Sequence, residues 1–320
     1  MRLVATPANP IPEGAIVATV RAIDGVRLRT ARWTPPVATR GTVALLGGRA
    51  EFIEKYFETI QDLLDRGFAV AAMDWRGQGG SQRQLSNPRK GHIDDFSLYE
   101  RDLDALVSEV LGPSCPQPWF GLCHSMGGAI LLASARAGRC PFDRLVLSSP
   151  MIGLAGLRSP GFVRFVAEAL DGIGLGGAFA PGGGPQIVSS APFEGNPLTS
   201  DPVRYARMAA VVAQEPELGL GWPTVGWLNA AFRLMRAFED PDFPRRTLAP
   251  ILVVAAGADR VTDTRAAERF ASRLRAGRIV VVEGAAHELL VERDHFRDRF
   301  WAAFDAFIPG VEAEKARAIP

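Results

Sequence analysis

Apolar and polar residues follow two different periods along the chain, and the change of period outlines a sheet covered by helices. Residues 16–33 alternate apolar and polar positions around Asp24 and Gly25, which predicts two antiparallel strands joined by a tight turn. Short apolar runs then recur at residues 42–46, 69–74, 119–123, 144–148, 251–256 and 278–283. Such runs are typical of parallel strands that are buried on both faces. The pattern therefore predicts eight strands in a mostly parallel sheet.

Helix-length segments with an apolar stripe separate most of these runs. The clearest cover residues 54–66, 98–111, 266–274 and 296–307, and their alternation with strands predicts an α/β fold with helices on both faces of the sheet. From 151 to 246 no strand-like run recurs, and a glycine-rich stretch is followed by helical patches. We therefore predict an α/β core at residues 1–150 and 247–320, and a helical cap at residues 151–246, inserted after the sixth strand.

Charge and cysteine content argue against several classes of function. The chain has 36 Lys and Arg against 35 Asp and Glu, a net charge of +1, which provides no field to hold a nucleic acid or an anionic membrane surface. Three cysteines are too few for a disulfide framework and lack the spacing of a zinc site, so we expect no metal and a reducing, cytoplasmic environment. The residues before Pro7 lack the apolar core of a secretory signal, and the oligomeric state stays open.

A serine follows the fifth predicted strand, in a turn that leads into an apolar helix. The segment His124-Ser125-Met126-Gly127-Gly128 has the strand, sharp turn and helix context that holds a serine at the tip of a sheet. The glycines let strand and helix approach, and the helix N-terminus stabilises negative charge that develops there. A serine at this position is also an ordinary helix N-cap, but the context favours a nucleophile.

A serine hydroxyl needs a base, and the chain has four histidines. His287 follows the last predicted strand in a loop of small residues, at the carboxyl edge where open α/β sheets carry their sites. His124 adjoins the serine, His92 lies in a basic loop, and His295 opens the last helix. We therefore predict His287 as the base.

Two carboxylates follow the strand at 251–256 and compete to orient that histidine. Asp259 is nearer the strand end, and Asp263 comes four residues later; either could instead cap the helix that follows. We predict Asp259 because it reaches the same edge of the sheet. The order Ser125, Asp259, His287 matches the Ser–Asp–His order of one fold among the serine hydrolases.

With these motifs in place, the chain resembles α/β-hydrolase-fold lipases of the monoacylglycerol lipase and lysophospholipase L2 type. The resemblance rests on HSMGG at 124–128, DWRGQGGS at 74–81, GADR at 257–260 and GAAH at 284–287, and it extends from about residue 42 to 307. It implies cleavage of the acyl ester of single-chain lipids, without a cofactor, under a cap over the acyl cleft. It also implies Ser125 as nucleophile, His287 as base and Asp259 as orienting acid.

Two positions depart from the pattern of that family. Gly47 stands where a histidine is common, and Cys123 stands where glycine is common, two positions before the serine. Gly48 keeps the tight turn, so we expect the backbone N–H groups of Arg49 and Met126 to form the oxyanion hole. Cys123 fits a small buried hydrophobic residue better than a reactive thiol.

The substrate contacts are predicted more coarsely. We expect Gly48, His124, Trp222 and Trp227 to contact a lysolipid or another small acyl ester. Apolar residues of the predicted cap could line an acyl channel or merely bury the cap on the sheet, and the sequence does not decide between these roles. Membrane contact is expected to be peripheral at most.

Two other functions stay open at this point. An aminopeptidase or amide hydrolase of the same fold would be favoured by an acidic pocket in the cap, built from carboxylates such as Glu168, Glu194 and Glu215. A non-catalytic ligand-binding protein could keep the fold without turnover. Dehalogenases and epoxide hydrolases of this fold need a carboxylate at the nucleophile position, and Ser125 therefore argues against both.

Overall fold

The fold is taken from a computed structural model that describes residues 2–35, 39–157 and 159–309. Its sheet has eight strands in the order β1-β2-β4-β3-β5-β6-β7-β8. The strands are β1 (Ile16–Arg21), β2 (Arg27–Trp33), β3 (Thr42–Leu46), β4 (Ala69–Met73), β5 (Trp119–His124), β6 (Arg144–Ser148), β7 (Ile251–Ala256) and β8 (Gly277–Val282). The β1–β2 and β2–β4 pairs are antiparallel, and all the other pairs are parallel. The predicted eight-stranded, mostly parallel sheet is confirmed.

The α-helices of the described residues follow the predicted segments closely. They are α1 (Phe57–Asp65), α2 (Leu98–Leu106), the single turn α3 (Gly112–Ser114), α4 (Met126–Arg136), α5 (Pro160–Leu170), α6 (Pro202–Gln214), α7 (Val225–Phe238), α8 (Asp242–Arg246), α9 (Thr264–Ala271) and α10 (Asp294–Phe307). A 3₁₀ turn, Ile53–Tyr56, precedes α1, and a π turn, Val107–Leu111, follows α2. In the described part of the chain, no helix combines the length and apolarity needed to cross a membrane.

Two cores lie on opposite faces of the sheet. In β3, Val43 and Leu45 pack in one core with buried residues of α1 and α10. Ala44 and Leu46 point the other way and pack in a second core with buried residues of α2, α4 and α7. Because side chains alternate along a strand, burial on both faces requires a continuous apolar run, which is the pattern seen in the sequence.

The segment between β6 and β7 is built differently. Residues 151–246 contain α5 to α8 and, in the described part of this segment, no strand of the sheet. Two isolated bridges, Leu154 with Thr262 and Phe179 with Thr224, are its β-type pairings. The segment therefore has the helical character predicted for it.

Candidate active site

Ser125 lies in a strained turn between β5 and α4. Its backbone has φ 48° and ψ −111°, a conformation that costs free energy for a residue with a side chain. Its N–H donates to the carbonyl of Ser148 at 3.0 Å, and its own carbonyl accepts from the N–H of Met151 at 3.0 Å. These bonds to the end of β6 and the residues after it hold the strained turn at the edge of the sheet.

Two glycines after Ser125 allow α4 to begin against the strand ends. A Cβ at Gly127 would lie 2.6 Å from the carbonyl oxygen of Leu46, and one at Gly128 would lie 2.9 Å from Cβ of Pro150. Neither position has room for a side chain without a backbone shift. The close approach therefore fixes Ser125 beside the loop that follows β3.

His287 bridges the serine and an aspartate. Its Nε2 lies 3.2 Å from Oγ of Ser125, and its Nδ1 lies 2.8 Å from Oδ2 of Asp259. The carboxylate favours the proton on Nδ1, which leaves Nε2 free to accept from the serine hydroxyl. His287 and Ser125 are both buried. The three residues predicted from different strand ends are thus brought together.

Asp259 and Asp263 have separate tasks. Oδ1 of Asp259 accepts from the N–H groups of Val261 and Thr262, and its Oδ2 accepts from the Thr262 hydroxyl at 2.7 Å. Burial raises the pKa of Asp259, but His287 and these donors outweigh burial and leave the pKa below its ordinary value. Asp263 accepts from the N–H of Ala266 as the N-cap of α9. The structure therefore puts Asp259, and not Asp263, beside the histidine.

The loop after β3 presents backbone donors next to the serine. The N–H of Gly48 donates to the Glu51 carboxylate, and the N–H of Ala50 donates to Oε1 of Gln78 at 3.3 Å. The N–H of Arg49, between them, has no acceptor among the residues that the structure describes. The N–H of Met126 is the first of α4 and therefore has no partner within the helix.

A buried group of five polar residues adjoins the serine, and the sequence did not predict it. We call it the Glu51 cluster, which consists of Glu51, Lys55, Tyr56, His124 and Glu288. Lys55 Nζ lies 2.6 Å from Oε1 of Glu51 and 2.5 Å from Oε1 of Glu288. The Glu51 carboxylate also accepts from the Tyr56 hydroxyl and lies 2.9 Å from Nδ1 of His124. The cluster is one continuous hydrogen-bonded network.

The ionisation of the Glu51 cluster follows from these contacts. Burial raises the pKa of Glu51, but His124 and Lys55 outweigh it, and the pKa lies well below its ordinary value. Burial lowers the pKa of His124, but the Glu51 carboxylate outweighs it, and the pKa lies above its ordinary value. Nε2 of His124 lies 3.4 Å from the carbonyl oxygen of His287, so both of its ring nitrogens face acceptors. This geometry favours a protonated His124.

The two departures from the family pattern have physical explanations. A Cβ at Gly47 would lie 2.9 Å from Oε2 of Glu51 and 3.1 Å from the Tyr56 ring, so the Glu51 cluster fills the space beside it. Cys123 is fully buried, and burial raises the pKa of its thiol well above the ordinary value. A thiol of this kind is inert, which fits the small hydrophobic role.

Ser125 and His287 open into a cavity of about 280 Å³. This volume lies slightly below the ~300–1,000 Å³ of typical ligand pockets. The polar end of the cavity is lined by Arg49, Glu51, Lys55, His124 and Glu288. Its apolar lining comes mostly from the segment between β6 and β7, with three residues from the rest of the chain: Met151, Leu154, Val188, Leu198, Pro223, Trp227 and Leu228, together with Ala50, Met126 and Val261.

Two of the four expected substrate contacts line the cavity. His124 and Trp227 line the cavity, and Gly48 lies behind the serine, since a Cβ there would be 3.1 Å from Cβ of Ser125. Trp222 is half exposed and is not among the lining residues of the described structure. The difference arises because α7 begins at Val225, so that its first turn buries Trp227 whereas Trp222 precedes the helix.

The two remaining histidines have unrelated partners. Nδ1 of His92 lies 2.9 Å from the Thr224 hydroxyl, and its Nε2 lies 3.0 Å from Asp94. His295 is exposed, and its ring contacts that of Phe296 in a tilted arrangement. Neither is near the serine, which leaves His287 and His124 as the histidines of the site.

The fold, with a serine, a histidine and an aspartate at three strand ends, is that of the α/β-hydrolase class of serine hydrolases. Residues 37–294 match Hydrolase_4, the family described as serine aminopeptidase, S33. The chain belongs to this family.

Similar proteins of known name agree with this membership. Lysophospholipase L2 of Escherichia coli strain K12 is 33% identical over 296 residues, covering 86% of this chain and 82% of that protein. Monoacylglycerol lipase of Mycolicibacterium smegmatis is 27% identical over 272 residues, covering 84% of this chain and 89% of that protein. The resemblance to lipases of these two types is confirmed.

Solved structures support the fold independently. A soluble variant of monoglyceride lipase from Saccharomyces cerevisiae aligns with a TM-score of 0.70 at 18% identity, covering 92% of this chain and 96% of that one. A thermostable carboxyl esterase from Bacillus coagulans aligns with a TM-score of 0.72 at 19% identity, covering 93% and 100%. The predicted α/β-hydrolase fold is confirmed.

Proposed function

We propose that this protein is a serine carboxylic-ester hydrolase that acts on single-acyl-chain lipids. The observation that carries the proposal is His287, which bridges Ser125 at 3.2 Å and Asp259 at 2.8 Å at the wall of a mostly apolar cavity. The names of the relatives, lysophospholipase L2 and monoacylglycerol lipase, support this substrate class.

In the first half of the reaction, Ser125 Oγ attacks the ester carbonyl carbon while Nε2 of His287 takes the hydroxyl proton. Asp259 holds the imidazole with its proton on Nδ1 and stabilises the imidazolium that forms. The carbonyl oxygen becomes negatively charged, and the N–H groups of Arg49 and Met126 donate to it. The imidazolium then protonates the departing alcohol, which leaves an acyl group on Ser125.

In the second half, a water molecule replaces the alcohol. His287 accepts a proton from the water as its oxygen attacks the acyl carbon, and the same two N–H groups stabilise the second tetrahedral intermediate. Return of the proton to Ser125 breaks the acyl bond and releases the fatty acid. The sum is one ester and one water converted to one acid and one alcohol, with no cofactor consumed.

The helical segment 151–246 acts as a cap over this site, on a core formed by residues 1–150 and 247–320. Val188, Leu198, Trp227 and Leu228 of the segment line the cavity together with core residues, which supports this division. An apolar lining built from both parts suits a single acyl chain, because burial of methylene groups favours binding by about 0.8 kcal/mol each.

The cavity favours an ester over the substrate of an aminopeptidase. The six carboxylates that could have built an acidic pocket in the cap are absent from its described lining: Glu168, Asp171, Glu194, Asp201, Glu215 and Glu217. The two carboxylates that do line it, Glu51 and Glu288, are bridged by Lys55. A substrate amine would therefore compete with a lysine that is already in place.

The environment of the protein is proposed from surface and cysteine chemistry. Phe162, Phe165 and Ile173 of the cap are about two-thirds or more exposed, which supports weak, peripheral contact with lipid. Tight flotation with liposomes in the absence of substrate would contradict it. Cys115, Cys123 and Cys140 are all free, which supports the cytoplasm as the location.

The test is hydrolysis of an ester panel graded by acyl length, measured on wild type and on Ser125→Ala. We expect the variant to lose kcat by about 10⁴-fold or more. Ser149→Ala is the matched control, because Ser149 is also buried, follows the next strand and has a positive φ of 43°. A Ser125→Ala variant that binds substrate and keeps wild-type turnover would refute the catalytic proposal, whereas a wild type that binds lipid without turnover would favour the binding-protein alternative.

A further inference from the structure

Arg49 differs from the other charged residues of the cavity in having no carboxylate partner. It lines the cavity with Ser125, and among the described residues it forms no salt bridge. Its Nη2 donates to the carbonyl oxygen of Gly221 at 2.9 Å, and its guanidinium carbon lies 5.2 Å from the centroid of the Trp227 ring. Its Nε is buried and has no hydrogen-bond partner in the described structure.

A buried N–H without an acceptor is unfavourable, and a guanidinium donor is more so than a neutral one. Burial lowers the pKa of Arg49 to about 10, so the group stays charged at neutral pH. A planar guanidinium with free donors matches the oxygens of a phosphate better than any neutral group. A guanidinium placed in this way at the cavity is suited to bind an anion.

The surroundings of Arg49 carry the same sign of charge. Arg89 and Lys90 donate to carbonyl oxygens of the cap, those of Gly219 and Gly177. Gly221, which accepts from Arg49, donates its N–H to the carbonyl of Arg89. Because these cations are held by carbonyls rather than carboxylates, their charge is not cancelled locally and attracts an anion to this side of the cap.

The Glu51 cluster beside Arg49 offers an anion no unpaired cation. In the Glu51 cluster, Lys55 is shared between the carboxylates of Glu51 and Glu288. Glu51, Lys55 and Glu288 sum to a charge of −1, and together with a protonated His124 the four groups sum to zero. An anionic head group is therefore favoured at Arg49 and not at Lys55.

We propose that Arg49 is a specificity-determining residue that binds the phosphate of the substrate head group, so that the preferred substrate is a single-chain phospholipid rather than a monoacylglycerol. This inference rests on the proposed ester hydrolysis and adds to it the chemical class of the head group. The side chain of Arg49 selects the substrate, while its backbone N–H serves the oxyanion.

The test is a ratio, because both substrates use the same serine and the same backbone donors. We would measure kcat/KM for a lysophosphatidylethanolamine and for a monoacylglycerol with the same acyl chain, and divide the first by the second. We expect this ratio to favour the phospholipid in wild type and to fall by about tenfold or more in Arg49→Gln. Arg49→Lys keeps the charge but loses the fork, so its ratio should lie between the two.

Arg83→Gln is the matched control. Arg83 is another arginine with a pKa lowered to about 10 by burial, and it also donates to a cap carbonyl, but it lines a different cavity. Its ratio should stay within about twofold of wild type. The proposal is wrong if Arg49→Gln lowers kcat/KM equally for both substrates, or if wild type prefers the monoacylglycerol. The role of Arg49 would then be only its hydrogen bond to Gly221.

A second measurement does not depend on the folding of a variant. Glycerophosphoethanolamine, which has no acyl chain, should inhibit ester hydrolysis by wild type competitively at concentrations at least about tenfold lower than glycerol. Equal inhibition by the two compounds would overturn the phosphate site while leaving the ester hydrolase intact. Failure of wild type to hydrolyse any ester of the panel would instead refute the proposed function itself.

Discussion

Two histidine–carboxylate pairs lie side by side at this site, and they differ in what the second ring nitrogen faces. His287 pairs with Asp259 at 2.8 Å, and His124 pairs with Glu51 at 2.9 Å; the two rings are 4.7 Å apart. The free nitrogen of His287 points at Ser125 Oγ, whereas that of His124 points at the carbonyl oxygen of His287. A nitrogen that faces a hydroxyl can accept a proton, but one that faces a carbonyl must donate.

The carboxylates of Asp259 and Glu51 differ in where their hydrogen-bond donors come from. Asp259 accepts from the backbone of its own loop and from Thr262, which fixes it toward one histidine. Glu51 is shared among Gly48, Lys55, Tyr56 and His124, which come from several elements around the serine. In the proposed reaction the same chemical pair serves as base and orienting acid in one place, whereas in the other it holds the loop after β3.

The largest expected effect separates the two histidines. His287→Gln should lower kcat for ester hydrolysis by about 10⁴-fold or more, because the base is lost. His124→Gln should cost only about 10- to 100-fold, because it removes a positioning contact and not the proton acceptor. Steady-state kinetics on one ester would check both, and equal losses in the two variants would contradict the division of roles.

Substitution of Asp259 should mainly affect activity, whereas substitution of Glu51 should mainly affect stability. Asp259→Asn should lower kcat by about 10³- to 10⁴-fold, with a smaller loss of unfolding free energy than Glu51→Gln because the amide oxygen can still accept from the loop. Glu51→Gln should lower the free energy of unfolding by about 3–5 kcal/mol, since Lys55 and His124 lose a buried counter-charge. Urea denaturation of each variant, alongside kinetics, measures the contrast. A Glu51→Gln protein as stable as wild type would remove the bracing role.

A smaller effect is expected at Gly47. Gly47→Ala should destabilise the protein by about 1–3 kcal/mol, because the new Cβ would press on Glu51 and Tyr56. Thermal unfolding would measure the loss of stability. Gly138→Ala would be a poor control, because Gly138 has φ 72°, a conformation that a residue with a side chain disfavours. Gly161→Ala is better matched, since a Cβ there meets no atom within 4 Å and its φ is not positive. Equal stability of Gly47→Ala and wild type would show that the Glu51 cluster yields to a side chain.

The smallest expected effect is a pH dependence of stability. The pKa of His124 is raised in the folded protein, so its stabilising effect is fully present below the ordinary value of 6.5 and is lost as pH rises through the folded-state pKa. The free energy of unfolding should therefore decline above about pH 6.5, and less so in His124→Gln. Urea unfolding across pH 6 to 9 would check this, and identical slopes in the two proteins would contradict a protonated His124.

The sheet and the three residues at its edge could be predicted because each leaves a local signal. The runs at 42–46 and 251–256 are apolar throughout, since both faces of β3 and β7 are buried. Ser125, Asp259 and His287 each follow such a run directly, and carboxyl ends of parallel strands meet at one edge. The prediction that these three residues lie together therefore did not require the order of the strands in the sheet.

The Glu51 cluster could not be predicted in this way because its members leave no common pattern. Glu51 and Lys55 resemble the charged positions of an ordinary amphipathic helix. Glu288 directly follows the predicted base His287 and has no sequence signal of its own. The spacing that joins them is three-dimensional, through His124 at the end of β5. The one local signal is Gly47, which stands where the family commonly has a histidine and which leaves the space that Glu51 and Tyr56 occupy. The different burial of Trp222 and Trp227 also leaves no local signal, since it depends on where α7 begins.

The central claim is that Ser125 is an activated nucleophile, and intact-mass spectrometry after exposure to a fluorophosphonate probe tests it most directly. The account predicts a single adduct on wild type and on Ser149→Ala, and none on Ser125→Ala. No adduct on folded wild type, or an adduct that persists on Ser125→Ala, would contradict it.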